Sequence, residues 1–238
     1  MEEQNVDGVC DGGDLDCGSG LLLIIKKAMD PIREGGILEI RSREPSVEQD
    51  LPAWCRMVGH SLVAVSPHET HTSYLVQKGA GQSDVQSDLD AARGYRWSVR
   101  VRAMPGLTAQ VFARNHSFTA GQPADFSAKV EAPSAMDLLL AALGSDLVVG
   151  LRAAASRENH VLDEVECVLR ASLGNVLAHL GIEDGDPSVQ NVSGTIYIAT
   201  VEDEASIHGL WQSVLAHSPL YQTLSRAAQI DIRCEVTL

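Results

Sequence analysis

Cys17 stands at the start of an apolar segment with helical spacing, in the run DLDCGSGLLLIIKKAM. Open backbone N–H groups and the dipole at a helix start stabilise an anion, so a thiol placed there is a candidate nucleophile near neutral pH. Asp14 and Asp16 act against this, because a neighbouring negative charge disfavours the thiolate. Cys10, seven residues earlier, is either a resolving thiol for Cys17 or, as free cysteines commonly are, a packed residue at a strand end. Asp146 is the second candidate. The residues three and four positions away are Ala142, Leu143, Val149 and Gly150, which set its carboxylate on an apolar helix face. Burying it unpaired costs several kcal/mol or forces it to hold a proton. A cation, a hydrogen-bond network or an opening to water must compensate, unless that face is a domain edge that tolerates the charge.

His217 and Ser218 precede Pro219 in a helix-breaking turn. Cys55 reads as a helix-face residue, and Cys167 and Cys234 lie in alternating strands. No C-x-x-C or H-x-x-x-H spacing occurs, so neither a metal nor a cofactor site is expected.

The elements that must position these residues fall into two groups. In the front part, a strand before Cys17, a helix over 21–29, a strand over 37–41, a helix over 47–59 ending at Gly59, and strands over 61–66 and 73–77 give the order βαβαββ. That interleaving predicts a small two-layer sandwich. The stretch 79–93 is small, polar and weakly patterned, as a linker is. The back part, 94–238, starts with strands over 96–103 and 107–114 around Pro105-Gly106. A helix over 133–156, apolar on all sides, is expected as a buried central helix. Two strands over 164–173 and 192–201, a helix over 204–216, a short one to about 227 and a closing strand over 230–236 follow. The fold class is therefore α+β, with domains at 1–78 and 94–238.

Composition limits the function. The 238 residues carry 18 Lys+Arg against 32 Asp+Glu, a net charge of −14, which repels nucleic acid and anionic membrane surfaces. Apolar residues make up 45%, enough for a core, and aromatics only 4%. The N-terminal MEEQNVDG lacks the regions of a signal peptide, and the five cysteines fit a reducing compartment, so a cytoplasmic protein is expected.

From Asp11 to Lys78 the chain resembles the TusA (SirA-like) sulfur carriers, whose signature is an Asp six residues before a Cys-Pro-x-Pro helix start. Asp11 and Leu15 match, Cys17 falls on the sulfur-accepting cysteine, and Asp50-Leu51-Pro52-Ala53-Trp54-Cys55 with Gly59-His60-Ser61-Leu62 resembles the second-helix and third-strand signature. Gly18 and Gly20 replace both motif prolines. From about Tyr95 the chain resembles the OsmC/Ohr hydroperoxide reductases, through APSAMDLLLAALGSDLVVGLRAAA and SPLYQTL. The resemblance places the peroxidatic cysteine on Asp146, the resolving cysteine on Ser218 and the assisting acid on Met136, beside Asp137. It also implies that the segments of Asp146 and of His217-Ser218 meet, which would gather the residue types of a hydrolytic triad, but adjacent turn residues seldom point at one another and no oxyanion-hole motif is visible.

These resemblances imply a sulfur-trafficking or thiol-redox accessory protein, with Cys17 as persulfide carrier and a partner in a sulfur relay. They also imply that the back domain, with both catalytic cysteines replaced, is no organic hydroperoxide reductase and serves dimerisation or binding as an intertwined homodimer. The alternative is a non-catalytic scaffold in which both domains have lost their chemistry.

Overall fold

The computed structural model describes residues 6–80, 89–90, 92–121 and 132–237. Part of the 79–93 linker lies outside them. The chain divides into two compact units, Met1–Tyr95 with Ser156–His160, and Arg96–Ala155 with Val161–Leu238.

The first unit contains β1 (Gly8–Gly13), α1 (Leu22–Met29), β2 (Ile37–Ser42), α2 (Val47–Val58), β3 (Ser61–Pro67) and β4 (Thr72–Gln77). The sheet order is β1-β2-β4-β3, with β1 parallel to β2 and the other pairs antiparallel. Alternation in β2 sends Leu38 and Ile40 inward, where they meet Ile25 and Met29 of α1 and Leu51, Trp54 and Cys55 of α2 in one core. Gly59 ends α2 in the left-handed region, φ 76°, where a side chain would be strained. Lys78 closes α1: its Nζ donates to the carbonyls of Met29, Asp30 and Ile32 at 3.0, 2.9 and 2.7 Å, placing a cation at the negative end of that helix.

His60 is buried beside these groups. Its Nδ1 accepts the Gly79 N–H at 3.3 Å, and the Trp54 ring stands edge-on at 5.6 Å. Burial first, and the Lys78 ammonium second, hold its pKa below the ordinary imidazole value. The unfolded chain, with an imidazole near 6.5, therefore binds the proton more readily than the folded one. Stability of this unit is expected to be complete above about pH 7 and to fall as pH drops below about 6.5, levelling off under the folded pKa. Denaturant titrations across that range should show the slope, and His60→Phe should flatten it; an unchanged slope in the variant would assign the effect elsewhere.

The second unit contains β5 (Arg100–Met104), β6 (Thr108–Ala113), β7 (His116–Ala120), α3 (Ala135–Arg157) as far as Ala155, β8 (Glu164–Leu173), α4 (Val176–His179), β9 (Val189–Ala199), α5 (Glu204–His217), α6 (Pro219–Leu224) and β10 (Gln229–Thr237). They form two three-stranded sheets, β5-β6-β7 and β10-β9-β8. The first is an antiparallel meander; in the second, β9 runs antiparallel to β8 and parallel to β10. Strand β7 and helix α4 were not expected from the pattern.

Helix α3 buries Leu143, Leu147, Leu151 and Ala155 against Val192, Ile196 and Ile198 of β9 and Ile207, Trp211 and Val214 of α5. The stripe opposite, including Ala141, Ser145 and Val149, is exposed, with Val149 at 66%. Its apolar composition is thus used on one side only within a single chain. Among the described residues it is the one helix long and apolar enough to cross a membrane; its buried stripe makes it the core helix of this unit.

Candidate functional site

Cys17 opens an irregular π-turn, Cys17–Leu21, in which Gly20 takes φ 102°, and the regular helix begins only at Leu22. The thiol is thus one irregular turn away from the helix start on which the sequence argument placed it, and the expected stabilisation of an anion weakens accordingly. Cys17 is half-buried and packs on the first unit's core. Burial raises its pKa, and the carboxylates of Asp50 and Asp16 raise it further. Asp50 comes from the first turns of α2, 33 residues on, so its charge at the thiol is a tertiary effect that local sequence could not show. Asp14 is instead engaged by Arg43, whose Nε donates to its Oδ1 at 3.0 Å.

The other thiols of this unit are less available. Cys10 and Cys55 are buried, and burial is the main cause that pushes each up to about 11. Cys10 is an interior residue of β1 on its core-facing side, which agrees with the packing reading.

In the second unit the structure brings Asp146 and Ser218 together. Asp146 lies midway along α3, and Ser218 sits where α5 ends and α6 begins. Ser218 Oγ donates to Asp146 Oδ2 at 2.6 Å, and the Leu220 N–H donates to the same oxygen at 3.3 Å. Ser218 Oγ also accepts the Tyr221 N–H at 3.0 Å, so it caps α6 with its lone pair while giving its proton to Asp146. Pro219 at the first helical position and the Ser218 cap are the local reasons α6 starts here. The network needed to accommodate Asp146 is thus one serine hydroxyl and one backbone amide.

The remaining expected members stand elsewhere. The Nδ1 of exposed His217 donates to the Ser213 carbonyl at 2.7 Å, a bond within its own helix, so it does not act on Ser218 and no hydrolytic triad is assembled. Asp137 is a capping residue: its Oδ2 accepts the Ser134 N–H and hydroxyl at 2.8 and 2.7 Å, while Ser134 Oγ accepts the Asp137 N–H at 3.2 Å. This is the reciprocal arrangement of a capping box, legible in the spacing of Ser134 and Asp137. Met136 is half-buried in the first turn of α3.

Cys167 and Cys234 both register with Ile196, one from each side of β9, so a whole strand separates them. Burial raises both thiols, Cys234 to about 11, with Glu204 adding to the latter. All five cysteines are free, and among the described residues no three His, Cys, Asp or Glu side chains gather as a metal site would require.

Comparison with known proteins follows the division into two units. A family description for the sulfurtransferase TusA matches residues 20–78, beginning just after Cys17, and one for OsmC-like proteins matches residues 127–233. The sulfur carrier protein TusA of Pseudomonas savastanoi pv. phaseolicola is 31% identical over 78 residues, 33% of this chain and 92% of that protein. The TusA of Pseudomonas aeruginosa is 29% identical over 76 residues, 32% of this chain and 95% of that one. Among solved structures, an OsmC-like protein from Mycoplasma pneumoniae superposes with a TM-score of 0.54 at 10% identity, covering 61% of this chain and 99% of its own. A hypothetical protein from Aquifex aeolicus VF5 gives 0.50 at 12% identity, covering 60% and 97%. At such identities the likeness is one of fold.

Proposed function

Since this chain belongs to the TusA sulfur-carrier family through its first unit and continues into an OsmC-like domain, we propose that it traffics sulfur through a persulfide on Cys17. The observation that carries this reading is selective access. By resemblance Cys17 falls at the family's sulfur-accepting position, and it is the half-buried thiol of its unit, whereas Cys10 and Cys55 are enclosed. In the transfer, the Cys17 thiolate attacks the outer sulfur of a donor persulfide. The new S–S bond forms at Cys17, the donor's S–S bond breaks, and the donor sulfur leaves as a thiolate that takes up a proton.

The OsmC-like domain in this reading reduces no hydroperoxide. Peroxide reduction needs one thiolate to attack oxygen and a second thiol to resolve the sulfenic acid. Asp146 and Ser218 occupy the two positions that resemblance assigns to those thiols, and they hydrogen-bond to each other. The domain instead supplies a homodimer interface, a role supported by the exposed apolar stripe of α3 and the open apolar face of β5–β7. A relay partner delivers or accepts the sulfur, and the five free thiols fit a reducing cytoplasm.

A second reading, a scaffold without chemistry, is favoured by one observation: burial, Asp50 and Asp16 all hold the Cys17 thiol in its less reactive form. One experiment decides between them. Incubated with a cysteine desulfurase and cysteine, the wild-type chain is expected to gain the mass of one sulfur atom, removable by reductant, and Cys17→Ser to gain none. No addition to the wild type, or equal addition to the variant, would overturn the carrier reading.

A further inference from the structure

The loop that leads into Cys17 carries an acid of its own. Asp14 stands three residues before the thiol, which Asp50 and Asp16 already hold in its protonated form. A third carboxylate turned toward the sulfur would oppose its ionisation further. Asp14 instead meets a cation: Arg43 Nε donates to Asp14 Oδ1 at 3.0 Å. Arg43 directly follows β2, and its backbone N–H donates to the Gly13 carbonyl at 2.8 Å, so the guanidinium starts from the strand end beside the loop.

An ion pair to a carboxylate that is 62% exposed would by itself hold little in place. The other donors of the guanidinium supply the anchor. Its Nη2 donates to the Ser156 carbonyl and hydroxyl at 2.8 and 2.9 Å, and its Nη1 to Asn159 Oδ1 at 3.2 Å. Both residues belong to the first unit, within Ser156–His160. Ser156 is buried, and its Oγ also accepts the Asp14 N–H at 2.5 Å, while Asn159 Nδ2 donates to Asp11 Oδ2 at 3.1 Å. Gly13 lies against the same serine: it takes φ 55°, and a Cβ there would stand 1.9 Å from Ser156 Oγ. The amide of Asp14 is thus fixed by Ser156 and its carboxylate by Arg43. A planar fork that reaches several acceptors at once is suited to this; a single ammonium is not.

Resting on the carrier reading above, we propose that Arg43 is a positioning residue for Cys17: anchored on Ser156 and Asn159, it holds the Asp14 carboxylate to itself and keeps that charge from the sulfur. Arg43 takes no part in the transfer and acts through Asp14. The groups that share the surroundings of the thiol are Asp16 on its own loop and, from α2, Asp50 and Cys55. Removing Arg43 adds Asp14 to these acids, and a donor persulfide then meets a thiol that ionises against three carboxylates rather than two.

The pH profile of Cys17 alkylation by iodoacetamide, read on the full chain by peptide mapping, tests this with no sulfur donor present. Arg43→Gln is expected to slow the pH 7 reaction by roughly two- to fivefold and to move the profile to higher pH. Asp14→Asn in the Arg43→Gln background removes the released acid and should restore the wild-type rate. That double variant still lacks the bonds to Ser156 and Asn159, so its unfolding midpoint in denaturant should stay below that of the wild type even as the rate returns; a structural role alone would move both together. An Arg43→Gln rate equal to that of the wild type, or a slow rate that Asp14→Asn does not restore, overturns the proposal. Failure of the wild type to gain sulfur from a desulfurase overturns the carrier reading instead, and the alkylation rates still decide whether Arg43 acts on the thiol through Asp14.

Discussion

Ser218→Ala is expected to destabilise the second unit by about 2–4 kcal/mol, out of proportion to the loss of one oxygen atom. The hydroxyl makes two bonds of different kinds. It donates to Asp146 Oδ2 at 2.6 Å, and it accepts the Tyr221 N–H at 3.0 Å as the cap of α6. Losing a cap costs about 0.5–2 kcal/mol. Leaving a partly buried carboxylate without its donor adds about 1–3 kcal/mol, and the Leu220 N–H at 3.3 Å is too long a bond to make good the loss. Ser218→Thr keeps both oxygen contacts and should recover most of the stability. Asp146→Ala in the Ser218→Ala background removes the stranded carboxylate, so the double variant should lose less than the sum of the two singles. Denaturant unfolding of the four chains would measure this, and additive losses would show that the two side chains do not act as a unit.

Why this pair was only half legible in sequence is a matter of range. The apolar neighbours of Asp146 on its own helix announced that the carboxylate needed a partner, because helical spacing alone fixes which residues share a face. The partner is 72 residues away, and nothing local to Asp146 names it. Only resemblance to a family brought Ser218 to attention. Short-range chemistry is readable in the same helix, where Ser134 and Asp137 stand at capping-box spacing and their bonds close the helix start, so that acid serves α3 rather than the Asp146 site.

Strand β7 failed to show for a similar reason. The β6–β7 turn is Arg114-Asn115, with Arg114 at φ 55°, a left-handed conformation that glycine would usually signal. Without glycine the hairpin had no marker. By contrast, alternation in β2 and the glycine ending α2 gave the first unit's elements almost to the residue, since one face of that sheet is buried and the other is not. For Cys17, its place in the chain and the opposing charge of Asp16 are legible locally, whereas that of Asp50 is not, because Asp50 reaches the thiol through the fold.

Alkylation of Cys17 by iodoacetamide should therefore be slow at neutral pH and should rise steeply with pH, with no plateau below the ordinary thiol range of about 8.5. The thiolate is the nucleophile, and burial, Asp50 and Asp16 all hold the thiol above its ordinary pKa, so it is mostly protonated at pH 7. Deprotonation rather than access then sets the rate in this range. Cys10 and Cys55, pushed up to about 11 and buried, should not compete, so peptide mapping after a short pulse would report Cys17 alone in this unit. Asp50→Asn removes the larger of the two carboxylate influences and should raise the pH 7 rate by roughly two- to tenfold, with Asp16→Asn below it. Asp50→Glu, which keeps the charge, should leave the rate near that of the wild type. A wild-type profile already flat below pH 7 would mean that the π-turn amides stabilise the thiolate more than the carboxylates oppose it. A thiol that titrates high is protected from chance oxidants in free solution, and in a sulfur relay it needs a proton acceptor at the moment of attack. The carrier would then be quiet when alone and reactive only against a donor that provides one.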